Sequence, residues 1–125
     1  MARNHRSARQ AGSAFERLVA DYLAAHVDDR IDRRPKMGAR DRGDIAGLRH
    51  KGHRLVIECK NTTRPALAQA LAEAEVARGN DDALAGVVAL KRHGKAAPGE
   101  QLITMTLAEF VAILNGDRGH QEAGK

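Results

Sequence analysis

The run RLVIECKNTT, Arg54 to Thr63, begins as a hydrophobic strand and then carries a glutamate, a cysteine and a lysine in succession. Side chains alternate faces along a strand, so Val56, Glu58 and Lys60 share one side and Leu55, Ile57 and Cys59 the other. A second acid lies upstream, where Asp44 opens DIAGLR, Asp44 to Arg49, a strand candidate joined by a short turn to Arg54–Lys60. With His50, Lys51 and Gly52 as a three-residue hairpin loop and Gly52 left-handed, Arg49 pairs with His53 and Asp44 falls directly opposite Glu58. Two carboxylates about 4 Å apart repel by about 4 kcal/mol at an effective dielectric of 20. Lys60 offsets part of this, but a divalent cation does so better, and carboxylate oxygens are what Mg²⁺ selects. A cation of that kind, next to a lysine that orients water or steadies developing charge, is suited to breaking a phosphodiester bond.

An E-x-K tripeptide alone is weak, since an exposed strand face with a neutralising pair produces it just as well. The surroundings add weight. The chain has a formal charge of +5 and a pI near 9.9, and Arg30 to Lys60 holds ten Lys or Arg against four Asp or Glu. That balance favours a phosphate backbone as partner. Two Phe, one Tyr and no Trp cannot build a base-stacking platform, which points to duplex or branched nucleic acid held by charge and shape.

The elements that must position these residues follow from pattern. At 125 residues the chain is one domain with one core. Met1 to Gly12 has no periodicity and three arginines, and reads as a flexible basic arm. Phe15, Leu18, Val19, Tyr22 and Leu23 mark one face of a helix from Ser13 to about His26. Arg30 to Lys36 is a strand weakened by Pro35. After the hairpin, Arg64 to Arg78 is a helix with Pro65 in its first turn and Gly79 and Asn80 past its end. Ala85 to Leu90 is a strand buried on both faces. QLITM is another strand, and Thr106 opens a third helix closed by Gly116. Residues 117–125 form a polar tail without fixed structure. The reading is an α/β domain over 13–116, a mixed central sheet of about five strands flanked by helices in the order αβββαββα.

Together, the segments GSAFERLVADYL, RGDIAG and LVIECK resemble the PD-(D/E)XK nuclease superfamily, most of all its small archaeal-type Holliday junction resolvases. The resemblance covers about Gly12 to Leu114. It implies a restriction-endonuclease-like fold and a Mg²⁺-dependent endonuclease, with Mn²⁺ able to substitute, acting on branched or duplex DNA as a homodimer. RecB-like or restriction-type cutting and a non-catalytic DNA-binding module of the same fold are the alternatives. By resemblance Asp44 and Glu58 are the principal metal ligands, helped by the backbone carbonyl of Cys59. Lys60 then positions the attacking water, and Glu16 is the additional acid. Gly43 stands where the name-giving proline would be.

Other residues divide between roles. Ser13 to Glu16 also fits a capping box, S-x-x-E, and Thr106 to Glu109 repeats it where no chemistry is expected. Cys59 reads as an inert core thiol. The histidines show no HxH or HxxxH spacing, so no zinc site is expected. Candidate DNA contacts are Arg33, Arg34, Lys36, Arg40, Arg42, Lys91, Arg92 and Lys95, and the resemblance implies that Gln69, on the helix after the E-x-K strand, faces the site. No apolar run approaches the roughly 18 residues of a membrane span, and no apolar segment follows the basic N-terminus as a signal peptide would. The expectation is a cytoplasmic protein, bacterial, archaeal or phage-encoded, with no membrane partner.

Overall fold

The computed structural model describes residues 4–119, which form a mixed α/β arrangement of three helices and two sheets. Helix α1 spans His5–His26 and starts eight residues before the Ser13 expected from the Phe15–Leu23 stripe. The reason is local. The Asn4 side chain accepts from the Ser7 N–H at 2.8 Å and caps a run of Ala, Arg and Gln, which are good helix formers. Residues 4–12 are therefore not a loose arm. Residues 1–3 lie outside the described residues. Ser13 falls in mid-helix, so it caps nothing.

Between α1 and the main sheet lies a short two-stranded ladder, β1 (Asp32–Arg33) against β2 (Ile45–Ala46), antiparallel with Arg33 opposite Ile45. The expected strand over Arg30–Lys36 shrinks to those two residues. DIAGLR does not run as one strand either: it bends at Gly47, whose φ of +83° and closeness to the Arg30 carbonyl exclude a side chain. Its second part is β3 (Arg49–His50), which pairs with β4 (His53–Lys60). The turn holds two residues, not three. Lys51 and Gly52 both take positive φ, 51° and 83°, and Arg49 pairs with Arg54 while His50 pairs with His53. The expected register is thus shifted by one residue, and four strands rather than three precede the second helix.

Strand β4 runs parallel to β5 (Ala85–Leu90), from Leu55 opposite Ala85 to Lys60 opposite Leu90, and α2 (Leu67–Asp81) makes the crossover. Strand β6 (Leu102–Thr104) closes the order β3-β4-β5-β6 antiparallel to β5. Helix α3 (Leu107–Asn115) starts at Thr106, whose hydroxyl accepts from the Glu109 N–H, and ends at left-handed Gly116. Past it, Arg118 is fastened to the Leu84 carbonyl and to Glu109, so residues 117–119 are not a loose tail. Residues 120–125 lie outside the described residues.

The sheet has two apolar faces. Leu55, Ile57 and Cys59 of β4 and Val87 and Ala89 of β5 pack with Phe15 and Ala20 of α1. On the other face Val56 meets Ala77, and Val88 meets Ala70 and Ala74 of α2. Helix α2 comes very close: a Cβ on Gly86 would stand 2.7 Å from the Ala74 carbonyl oxygen. Its alanines are what allow that approach. Instead of stopping at Arg78, α2 continues through Gly79 and Asn80 because Asp82 takes the left-handed cap and returns its N–H to Arg78 and Gly79. Among the described residues no helix is long and apolar enough to cross a membrane.

Candidate active site

The chemistry-bearing residues gather at the end of β4 where Lys60 emerges, between α1, α2 and the loop from Arg34 to Asp44. Asp44 is fixed by the backbone. Its N–H donates to the Ile57 carbonyl at 2.8 Å and its Oδ2 accepts from the Cys59 N–H at 2.7 Å, so the two bonds straddle Glu58. The bend at Gly47 thereby brings the two acids together despite the shifted hairpin register. Gly43 has φ +92°, and a Cβ there would lie 2.8 Å from Val56 Cγ1 and 2.9 Å from the Ile57 carbonyl oxygen. Proline, locked near φ −65°, does not fit this backbone.

Glu16 arrives from α1 and is buried. Its Oε1 accepts from Arg33, at 3.0 Å from Nη2, and its Oε2 from Lys36 Nζ at 2.9 Å. The Lys36 ammonium also donates to Asp44 Oδ1 at 2.9 Å and so bridges the two acids. Burial pulls the Lys36 ammonium down, but its bonds to Asp44 and Glu16 outweigh burial and the net displacement is upward. Glu16 thus serves this cluster, not a helix cap.

Glu58 is the anomaly. It is 4% exposed, and its Oε1 is buried with no hydrogen-bond partner. Burial foremost, then the neighbouring Asp41 and Asp44, push its carboxyl up to about 9, so without a cation the group holds a proton at neutral pH. Lys60, on the same face, donates to Glu73 of α2, and Gln69 donates to the other Glu73 oxygen at 3.2 Å. Burial depresses the Lys60 ammonium, the bond to Glu73 more than restores it, and the same bond draws Glu73 down. Lys60, Thr62, Arg64, Gln69 and Glu73 line a cavity of about 250 Å³ beside the acids. Cys59 packs with the α1 cluster, and burial pushes its thiol up.

The expected DNA contacts separate into two groups. Arg33 and Lys36 are engaged with Glu16 and Asp44, and Arg34 is mostly buried with its Nη2 4.0 Å from Asp81. Lys91 turns its Nζ onto the carbonyls of Arg92 and Lys95 within its own loop. Arg40, Arg42, Arg92 and Lys95 remain exposed. The loop of Arg92 and Lys95 is tied to the site, because the Lys91 N–H donates to the Lys60 carbonyl at 3.1 Å.

Sequence reasoning missed three residues. Asp41 presses on Glu58, and its Oδ1 accepts from the Gly43 N–H at 2.9 Å; the D-x-G spacing of an Asx turn was the available signal. Asn80 clamps the site loop by donating to the Asp41 carbonyl at 2.7 Å and the Ala39 carbonyl at 3.3 Å. Glu73 holds Lys60, four residues after Gln69 on one helix face.

Among the described residues no three His, Cys, Asp or Glu side chains are grouped as a metal ion would need. The Lys36 ammonium is set between Glu16 and Asp44, and Asp41 and Asp44 crowd Glu58. No family model matches this chain, nor does any curated protein or solved structure.

Proposed function

We propose that the protein is a metal-dependent, structure-selective DNA endonuclease that hydrolyses phosphodiester bonds, with the four-way Holliday junction as its substrate and a homodimer as its working form. One observation carries the reading: a buried glutamate, Glu58, has an oxygen without a partner and is crowded by Asp44 and Asp41. Ionised, such a group is costly unless a cation arrives, and without one it keeps its proton. The donors suit a hard divalent cation, and Asp44, Glu58 and the Cys59 carbonyl would hold it, with Glu16 completing the set. The chemistry that Mg²⁺ supplies in such a setting is polarisation of the phosphate and acidification of water.

The chain's own residues do the rest. Lys60, steadied by Glu73, orients water and offsets negative charge developing on the phosphate. Arg40 and Arg42 on the site loop, with Arg92 and Lys95 beside Lys60, hold neighbouring phosphates. The dimer is supported by α3, whose outward residues Leu107, Phe110 and Leu114 leave an apolar stripe, with Leu107 76% and Leu114 67% exposed.

Incubation with Mg²⁺ and synthetic junctions, linear duplex and single strands tests the reading. Junction cleavage that vanishes with chelator is the expected result, and no cleavage of any DNA sinks the enzyme claim. A preference for linear ends or single strands moves the protein to a RecB-like or restriction-type nuclease. A specific observation favours a second reading, a DNA-binding module without catalysis: Lys36 already neutralises two of the acids. In that case wild type, Asp44→Ala and Glu58→Ala bind DNA alike and none of them cuts.

A further inference from the structure

Lys36 is placed oddly for a surface lysine. Its side chain is 71% exposed, yet its ammonium stands 2.9 Å from each of two buried carboxylates, Glu16 Oε2 and Asp44 Oδ1. The stem crosses solvent to reach them and comes from the loop between β1 and β2, outside any helix or strand. Withdrawing it therefore disturbs no packed core.

We propose that Lys36 is an internal counter-ion that fills the place of the divalent cation, competes with that cation in the DNA-free protein, and swings out to DNA as the cation binds. The inference rests on the reading of Asp44 and Glu58 as metal ligands. Three features support it. The two oxygens Lys36 holds belong to Asp44 and Glu16, residues that would face the ion, whereas Asp44's other oxygen stays on the Cys59 N–H. Glu16 keeps a second cation, Arg33, when Lys36 leaves, so the α1 acid is not stranded. An ammonium and a divalent ion repel strongly at such distances, so the two occupy the site alternately.

Once out, Lys36 needs an anion. The exposed Arg40 and Arg42 on the same loop already make that side a phosphate-binding surface. DNA that captures Lys36 opens the acids, and the occupied metal site in turn frees Lys36 for DNA. Reciprocity requires the two affinities to rise together. Lys36 is thus a positioning residue that makes metal loading depend on substrate.

Mn²⁺ binding to the whole protein, followed by electron paramagnetic resonance without turnover, separates the possibilities. Lys36→Met should bind Mn²⁺ about tenfold tighter than wild type in the absence of DNA, a coupling of ordinary size. Lys36→Arg, which keeps the charge, should bind as weakly as wild type. With a short duplex made uncleavable by phosphorothioate linkages, wild-type affinity for Mn²⁺ should rise about tenfold and that of Lys36→Met should change little. Asp44→Ala with the same duplex corrects for ions held by DNA itself. If Lys36→Met binds Mn²⁺ no tighter than a wild type that does bind it, the gate is wrong and the metal site stands. Should wild type and Lys36→Met bind no more Mn²⁺ than Asp44→Ala, the metal site and the gate fall together. If Lys36→Met does not fold, wild type decides alone: unchanged Mn²⁺ affinity with the duplex overturns the gate.

Discussion

Two glutamates are buried to almost the same degree, Glu58 at 4% exposure on β4 and Glu109 at 6% on α3, and their surroundings are opposite. Glu109 accepts from the Gly86 N–H at 2.9 Å and receives both Nη atoms of Arg118 at 3.1 and 3.0 Å. It serves the edge of β5 below the point where β6 pairs, and Arg118 balances its charge. Glu58 has two acids for neighbours and an oxygen bonded to nothing. Burial alone therefore says little about chemistry. A buried acid supplied with donors is architecture, whereas the one crowded by other acids is the group on which the proposed metal site rests.

Substitutions that treat the two glutamates alike sharpen this contrast, beginning with the largest expected effect. Glu109→Ala removes the carboxylate that Arg118 and the Gly86 N–H share and should lower stability by about 3–5 kcal/mol, measured by urea unfolding. Glu58→Ala should leave the metal-free protein as stable or more so; a loss matching that of Glu109→Ala would erase the distinction. Function should show the reverse pattern. Asp44→Ala and Glu58→Ala should slow Mg²⁺-dependent junction cleavage at least about a hundredfold, or about 2.7 kcal/mol of barrier, while DNA binding in a gel-shift assay persists.

The pH dependence gives a smaller effect. The Glu58 carboxyl is pushed up to about 9 from 4.5, so the folded state keeps a proton that the unfolded state releases. Stability from this group is therefore fully present below about pH 4.5 and is lost as pH rises toward 9. Glu58→Gln should flatten that decline, differing little from the wild type at pH 4 and exceeding it by a margin that widens as pH rises toward 9, in metal-free thermal melts. Smallest is Asn80→Ala. It removes the clamp on Ala39 and Asp41 and should cost about 0.5–1.5 kcal/mol in the same melts, with cleavage falling only modestly.

Much of the fold was legible because its signals were local. The apolar run of β5 is observed from Ala85 to Leu90, as expected. Thr106 and Gly116 punctuate α3 where their chemistry requires. The start of α1 was obscured because residues 5–12 lack large apolar side chains, and helical propensity with an Asn4 cap is a weaker signal than periodicity. The hairpin register failed because a lysine with positive φ was not anticipated at Lys51. The bend at Gly47 escaped notice because only the approach of the Arg30 carbonyl reveals it. In the candidate site, strand alternation separated Glu58 and Lys60 from Cys59, a property of one segment, and the structure turns the first face to α2 and the second to α1. The roles of Lys36, Asp41 and Asn80 depend on how the loop before Asp44 folds back across three elements, which spacing does not encode.

Crystals grown with Mn²⁺ and examined by anomalous scattering test the central claim most directly. The account predicts an ion bound by Asp44 and Glu58, with the Lys36 ammonium displaced from Asp44. An anomalous map with no ion at these carboxylates, and Lys36 still bridging Glu16 and Asp44 at saturating Mn²⁺, would contradict it.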